Sequence, residues 1–152
     1  MADVRCVDVA AGTADRRMFV DDDLFAQEVR QIFGRAWLLV GHESQIPNPE
    51  DFIQSKMGTD SVIVTRTRQD KVVVLLNSCR HRGMKVCRVD EGKARAFTCP
   101  YHGWTYSTDE DRVSRPGELA GVPGFDVHYE GRLDNAGWGL TSGRVGVYKG
   151  TI

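Results

Sequence analysis

The chain has 152 residues, 41% of them hydrophobic and 27% charged, with a formal net charge of −1. That length can bury one core, the composition is that of a folded chain rather than a disordered or fibrous one, and the balanced charge excludes a strong overall field for nucleic acid or anionic lipid. The longest apolar runs, Ala36–Val40 and Val72–Leu76, hold five residues each, against the ~20 that a membrane-spanning helix needs.

The first 17 residues carry no apolar core of signal-peptide type, so the expected location is cytoplasmic. Residues 1–20 show no periodicity and read as an irregular lead-in. Asp21, Asp22 and Asp23 then precede Leu24, Phe25, Val29, Ile32 and Phe33, spaced as one face of a helix. An acidic cap before such a stripe predicts an N-terminal α-helix of about 14 residues, ending near Gly34 and packing its apolar face on the rest of the domain. Residues 1–36 are thus assigned to lead-in and helix.

Beyond Trp37 the pattern turns to short strands. Leu38–Val40, Asp51–Met57, Ser61–Arg66, Lys71–Asn77, Ala94–Thr98 and Thr105–Ser107 are the candidates, separated by Pro47, Pro49, Gly58 and Gln69–Asp70. Nine of the 16 glycines lie between Gly117 and Gly150, a density that marks turns. Trp138–Thr141 and Arg144–Lys149 read as a closing hairpin. The sum over residues 37–152 is a mainly antiparallel β domain.

Charge is uneven along the chain. Residues 61–108 carry nine basic and three acidic side chains, while the flanking segments are net acidic. Within the basic block lie Cys79–Arg80–His81 and, seventeen residues on, Cys99–Pro100–Tyr101–His102. Gly83 and Gly103 follow the two histidines, where tight turns let backbone approach a shared centre. In a reducing compartment the four cysteines are expected to bind metal or be buried rather than to pair. Two Cys and two His suit a tetrahedral zinc or a Rieske [2Fe–2S] cluster, with two Cys on one iron and two His on the other. Zinc fingers group Cys with Cys and His with His. Here each half is mixed, C-x-H before C-x-x-H, which matches the Rieske arrangement, and the expected cofactor and metal ligands are Cys79, His81, Cys99 and His102.

These residues, C-R-H-R-G and C-P-Y-H-G-W, resemble the Rieske domain of the large (α) subunit of bacterial aromatic-ring-hydroxylating dioxygenases. The likeness extends to Ile32–Trp37, Gly41–Pro47, Trp138–Leu140 and Val147–Gly150. It implies a Rieske-type antiparallel β-sandwich with a two-loop cluster-binding subdomain at about residues 78–106. It further implies an electron-transfer role: electrons from a ferredoxin or reductase pass to a mononuclear iron for O2-dependent cis-dihydroxylation of an aromatic compound. That Fe(II) belongs to a C-terminal catalytic domain absent from these residues, which offer only His42 and His128 besides the cluster set, so no catalytic residue is expected in this chain. An oligomer of α or of α and β subunits is implied for the full-length protein. Respiratory-type Rieske proteins have a cysteine in each loop and a serine after the second His-Gly; here Met84, Tyr101 and Trp104 take those places. Fewer donors to cluster sulfur imply a potential near the low end of the range, about −150 mV rather than +300 mV.

Two other functions remain in view. A freestanding Rieske-type ferredoxin would need little of the N-terminal extension, and a zinc-stabilised binding module would be colourless and silent in spin resonance. Arg80, Arg82, Lys85 and Arg88 would favour an acidic electron donor or are simply solvated. Trp104 and Tyr101 are placed to cover a cluster or to pack the core. Cys87 reads as a small buried hydrophobe, Cys6 as a free thiol, His42 as a hydrogen-bonded structural residue and His128 as a strand or surface residue.

Overall fold

A computed structural model describes residues 6–152, so that part of the lead-in at residues 1–5 lies outside the described residues. The chain falls into two units, residues 1–38 and 39–152.

The first unit is less irregular than its sequence. Strands β1 (Val7–Asp8) and β2 (Thr13–Ala14) form an antiparallel ribbon, followed by a 3-10 turn at Arg16–Phe19 capped by the Asp15 carboxylate. Helix α1 (Asp22–Glu28) begins where the acidic cap predicts. The Asp21 carboxylate accepts the Asp23 and Leu24 backbone N–H groups at 3.0 Å each, satisfying two donors that have no partner within the helix. The helix widens into a π-type turn over Val29–Phe33 and stops at Gly34. Along its apolar stripe Leu24 and Val29 are half-buried, while Phe25 is 50% and Ile32 54% exposed.

The second unit is built on a four-stranded antiparallel sheet in the order β5-β4-β3-β6, formed by β3 (Asp51–Met57), β4 (Asp60–Arg66), β5 (Val72–Leu76) and β6 (Glu91–Lys93). The run Val62–Ile63–Val64 explains its place at the sheet's centre. Successive side chains point to opposite faces. Ile63 joins Phe52 and Leu75 in one apolar cluster, while Val62 and Val64 join Ile53, Val74, Val40 and Ile46 in another. A strand covered on both faces reads as a continuous apolar run rather than an alternation, and burying a side chain of this size contributes about 1.5–3 kcal/mol.

A second sheet, β7 (Ala96–Thr98), β8 (Thr105–Ser107) and β9 (Glu118–Gly121), is also antiparallel. Its Phe97, Tyr106 and Leu119 enter the same cluster as Ile63 and Leu75, giving two sheets over one core. A short helix α2 (Phe125–His128) follows. The expected closing hairpin does not form. Residues 138–150 make only isolated pairings, Leu75 with Ser142 and Tyr148 with Thr151. Nor is Leu38–Val40 a strand; Val40 and Gly41 instead exchange backbone hydrogen bonds with Ile152. Among the described residues no helix is long and apolar enough to cross a membrane.

Candidate metal centre

Two loops of one design meet at the end of this core. The first follows β5 and the second is the tip of the β7–β8 hairpin, closed by the Thr98–Thr105 pair. In the first, Cys79 N–H donates to the Met84 carbonyl and Gly83 N–H to the Cys79 carbonyl, both at 2.8 Å. In the second, Cys99 N–H donates to the Trp104 carbonyl at 2.8 Å and Gly103 N–H to the Cys99 carbonyl at 3.0 Å. Gly83 and Gly103 both take φ +74°, a left-handed turn that side chains resist by about 1–2 kcal/mol.

The two glycines differ in their surroundings. A Cβ on Gly83 would meet nothing closer than Ser78 Oγ at 3.9 Å, whereas one on Gly103 would sit 2.8 Å from Pro123 Cγ. Gly83→Ala is therefore expected to cost the conformational strain alone. Gly103→Ala adds an overpacking cost of about 1–3 kcal/mol. Paired denaturant titrations check this order; equal losses would contradict it.

The loops pair the expected ligand residues two by two, cysteine with cysteine and histidine with histidine. Cys79 and Cys99 are buried in the same cluster of side chains. The His81 and His102 rings lie with centroids 4.6 Å apart. His81 Nδ1 is buried without a hydrogen-bond partner, as befits a nitrogen facing a metal rather than a backbone group. Burial lowers the His81 pKa, and the nearby His102 and Arg82 lower it further, which favours the neutral ring, the form that binds metal. Among the described residues no group of three His, Cys, Asp or Glu side chains is placed to hold a single metal ion. The set suits a diiron group, each iron needing only two protein ligands.

Aromatic rings line the histidines unequally. Trp104, 3% exposed, stacks on His81 with centroids 4.8 Å apart and planes 7° from parallel. Tyr101, 52% exposed, stacks on His102 at 3.9 Å, and the Arg82 guanidinium lies over its ring, 5.7 Å from the centre. Arg80, Arg82, Lys85 and Arg88 are all exposed. His42 caps the 3-10 turn Glu43–Gln45 and His128 ends α2; neither belongs to the site.

Two residues with evident roles were not legible in the sequence. Asn77 is 2% exposed. Its side-chain oxygen accepts the Val86 and Cys87 N–H groups at 3.0 and 2.9 Å, and its amide donates to the Cys87 carbonyl at 2.8 Å and to Gln54 Oε1 at 3.0 Å. Tyr106 is fully buried. Its phenol oxygen accepts the Arg80 N–H at 3.0 Å and lies 3.1 Å from Cys79 Sγ. Burial, then the Cys79 hydrogen bond, pushes the phenol pKa upward, so the phenol keeps a proton that it can donate to the Cys79 sulfur. Sulfur is thus not as poor in donors as the Trp104 substitution suggested. A donor bond strengthens as sulfur becomes more electron-rich. If it is worth about 1.4 kcal/mol more to the reduced state, Tyr106→Phe lowers the potential by about 59 mV. A potentiometric titration checks this, and an unchanged or raised midpoint contradicts it.

The family model described as Rieske [2Fe-2S] domain matches residues 36–126. The α subunit of biphenyl 2,3-dioxygenase from Rhodococcus jostii (strain RHA1) is 47% identical over 146 residues, 96% of this chain and 30% of the relative. The α subunit of benzene 1,2-dioxygenase from Pseudomonas putida is 44% identical over 145 residues, 95% of this chain and 30% of the relative. Among solved structures, naphthalene 1,2-dioxygenase from a Rhodococcus species, bound to indole, superposes with a TM-score of 0.80 at 38% identity, covering 88% of this chain and 29% of that one. The chain spans about 30% of the length of these curated relatives.

Proposed function

The chain belongs to the Rieske [2Fe–2S] domain family, and from that premise we propose that Cys79, His81, Cys99 and His102 hold the cluster in the electron-transfer segment of an aromatic-ring-hydroxylating dioxygenase α subunit. When bound, the cluster supplies a one-electron store. The chain's own residues make the store usable. Cys79 and Cys99 lie in the core, away from water, while His102 is exposed and gives electrons a short way in and out. Trp104, buried, stacks on His81 and covers one face of its ring. The electron donor is a ferredoxin or reductase, and the acceptor a mononuclear iron outside these residues where an arene is cis-dihydroxylated. The exposed basic residues of the first loop favour an acidic donor. Assembly into α or αβ oligomers is proposed on the same footing, since the named relatives are α subunits.

The observation that carries this reading is the pair of matched Cys-to-His loops, with two imidazoles in contact and a buried His81 Nδ1 that no protein group satisfies. The named relatives are large α subunits rather than small carriers, which disfavours a freestanding ferredoxin. Dithionite titration of the iron- and sulfide-loaded chain tests the role. One electron per chain with a midpoint near the low end of the Rieske range, about −150 mV, is expected. No electron uptake, or a midpoint near +300 mV, would overturn it.

A further inference from the structure

A histidine that binds metal is ordinarily oriented by a hydrogen bond from its second ring nitrogen to a carboxylate, carbonyl or water. In His81 the buried Nδ1 without a protein partner is the nitrogen assigned to the metal, which leaves Nε2 as the second one, and among the described residues no protein group hydrogen-bonds it. What meets the ring instead is a flat face: the indole of Trp104, 7° from parallel at 4.8 Å. Trp104 is itself fixed from two sides. Trp138 meets it edge-on at 5.7 Å and 80°, and Tyr129 at 6.1 Å and 77°. Its carbonyl accepts the Cys99 N–H at 2.8 Å, so the residue that closes the second loop lays its side chain on the histidine of the first. The contrast with His102 is direct, since the ring stacked there belongs to the exposed Tyr101.

We propose that Trp104 is a positioning residue that sets the plane of the His81 imidazole on the cluster, with Trp138 as its brace. The stack locks the ring's rotation and ties the two loops together. This rests on the cluster assignment above.

The test compares the loaded native chain with Trp104→Leu, which keeps apolar bulk but loses the flat face, and Trp104→Phe, which keeps a face. Trp138→Leu removes the brace at a position 39% exposed. Val64→Ala weakens the other apolar cluster and controls for general loss of stability. The readouts are the reduced-state spin-resonance line shape and the rate of iron loss to a chelator. Trp104→Leu is expected to broaden the signal and to speed iron loss about 10-fold, the lower end of what removing a ligand-orienting group does to metal affinity. Trp104→Phe is expected to recover the native signal, and Trp138→Leu to move both readouts the same way by less. Val64→Ala should lower the melting temperature and leave both unchanged. A native line shape and rate in Trp104→Leu overturn the proposal, as does an equal change in Val64→Ala. Should Trp104→Leu fail to fold, Trp138→Leu decides: a shifted signal supports the brace and a native one refutes it. A native chain that takes up no iron removes the cluster assignment and this inference with it; a loaded native chain with an unaffected Trp104→Leu removes this inference alone.

Discussion

Cys79→Ala and Cys99→Ala are each expected to reduce bound iron and sulfide at least tenfold, while Cys87→Ala and Cys6→Ala leave both unchanged. The physical reason lies in how few protein ligands each iron has. A diiron centre held by two thiolates on one side and two imidazoles on the other has no spare ligand, so losing one leaves its iron open to water. Cys87 is no substitute, although it is buried in the same cluster as Cys79. Burial pushes its thiol pKa up and its Sγ–H donates to the Val89 carbonyl at 3.4 Å, so it remains a protonated apolar group rather than a thiolate. His81→Ala and His102→Ala are expected to lose the cluster as completely. Iron and acid-labile sulfide assays on the six variants settle the matter. A Cys87→Ala protein as depleted as Cys99→Ala would mean that the wrong pair of thiols has been assigned.

The second large effect lies behind the ligands. Asn77→Ala strands the Val86 N–H, the Cys87 N–H and the Cys87 carbonyl, all of which it now satisfies. Both residues are buried, and each unsatisfied group costs about 1–3 kcal/mol. A loss of roughly 3 kcal/mol or more is expected, a large share of the 5–15 kcal/mol that holds a typical domain folded. For a domain of this size that is a fall of roughly 10 °C in melting temperature. The segment set free runs directly from the first loop, so cluster retention falls with stability. Asn77→Asp keeps the acceptor for the two N–H groups but turns an oxygen toward the Cys87 carbonyl and Gln54 Oε1, and should fall between. Thermal melts of the three proteins check the ranking. A change in Asn77→Ala below about 1 kcal/mol, the net value of one typical hydrogen bond, would contradict it.

The sequence exposed those parts of the fold whose physics is local. β3 and β8 lie at the predicted bounds, and β4, β5 and β7 within one or two residues, because apolar, β-branched runs between turn residues leave few alternatives. The Asp21 cap was legible for the same reason. β6, Glu91–Lys93, was not: it has no apolar residue and exists only through its pairing with Asp51–Ile53. Trp138–Lys149 failed in the other direction. It has the composition of a hairpin, but its glycines let Gly143 lie against Val74 and its backbone bonds go to the Leu76 strand and to Gly117.

The candidate site divides along the same line. Cys79, His81, Cys99 and His102 announce themselves through spacing, since short intervals must place a thiol and an imidazole together. Tyr106 and Asn77 act through partners remote in sequence. The Tyr106 hydroxyl reaches Cys79 27 positions away, and the Asn77 amide reaches Gln54 across 23. The alternation of β8 makes Tyr106 inward-facing, but only the fold says what it faces.

The central claim is that two thiolates and two imidazoles share one diiron centre. Iron K-edge X-ray absorption on the chain reconstituted anaerobically with iron and sulfide tests it most directly. The expected result is two irons and two sulfides per chain, with both sulfur and imidazole nitrogen in the iron shell and the nitrogen shell lost in the His81→Ala, His102→Ala double variant. A single bound metal ion, or an iron shell of sulfur alone, would contradict it.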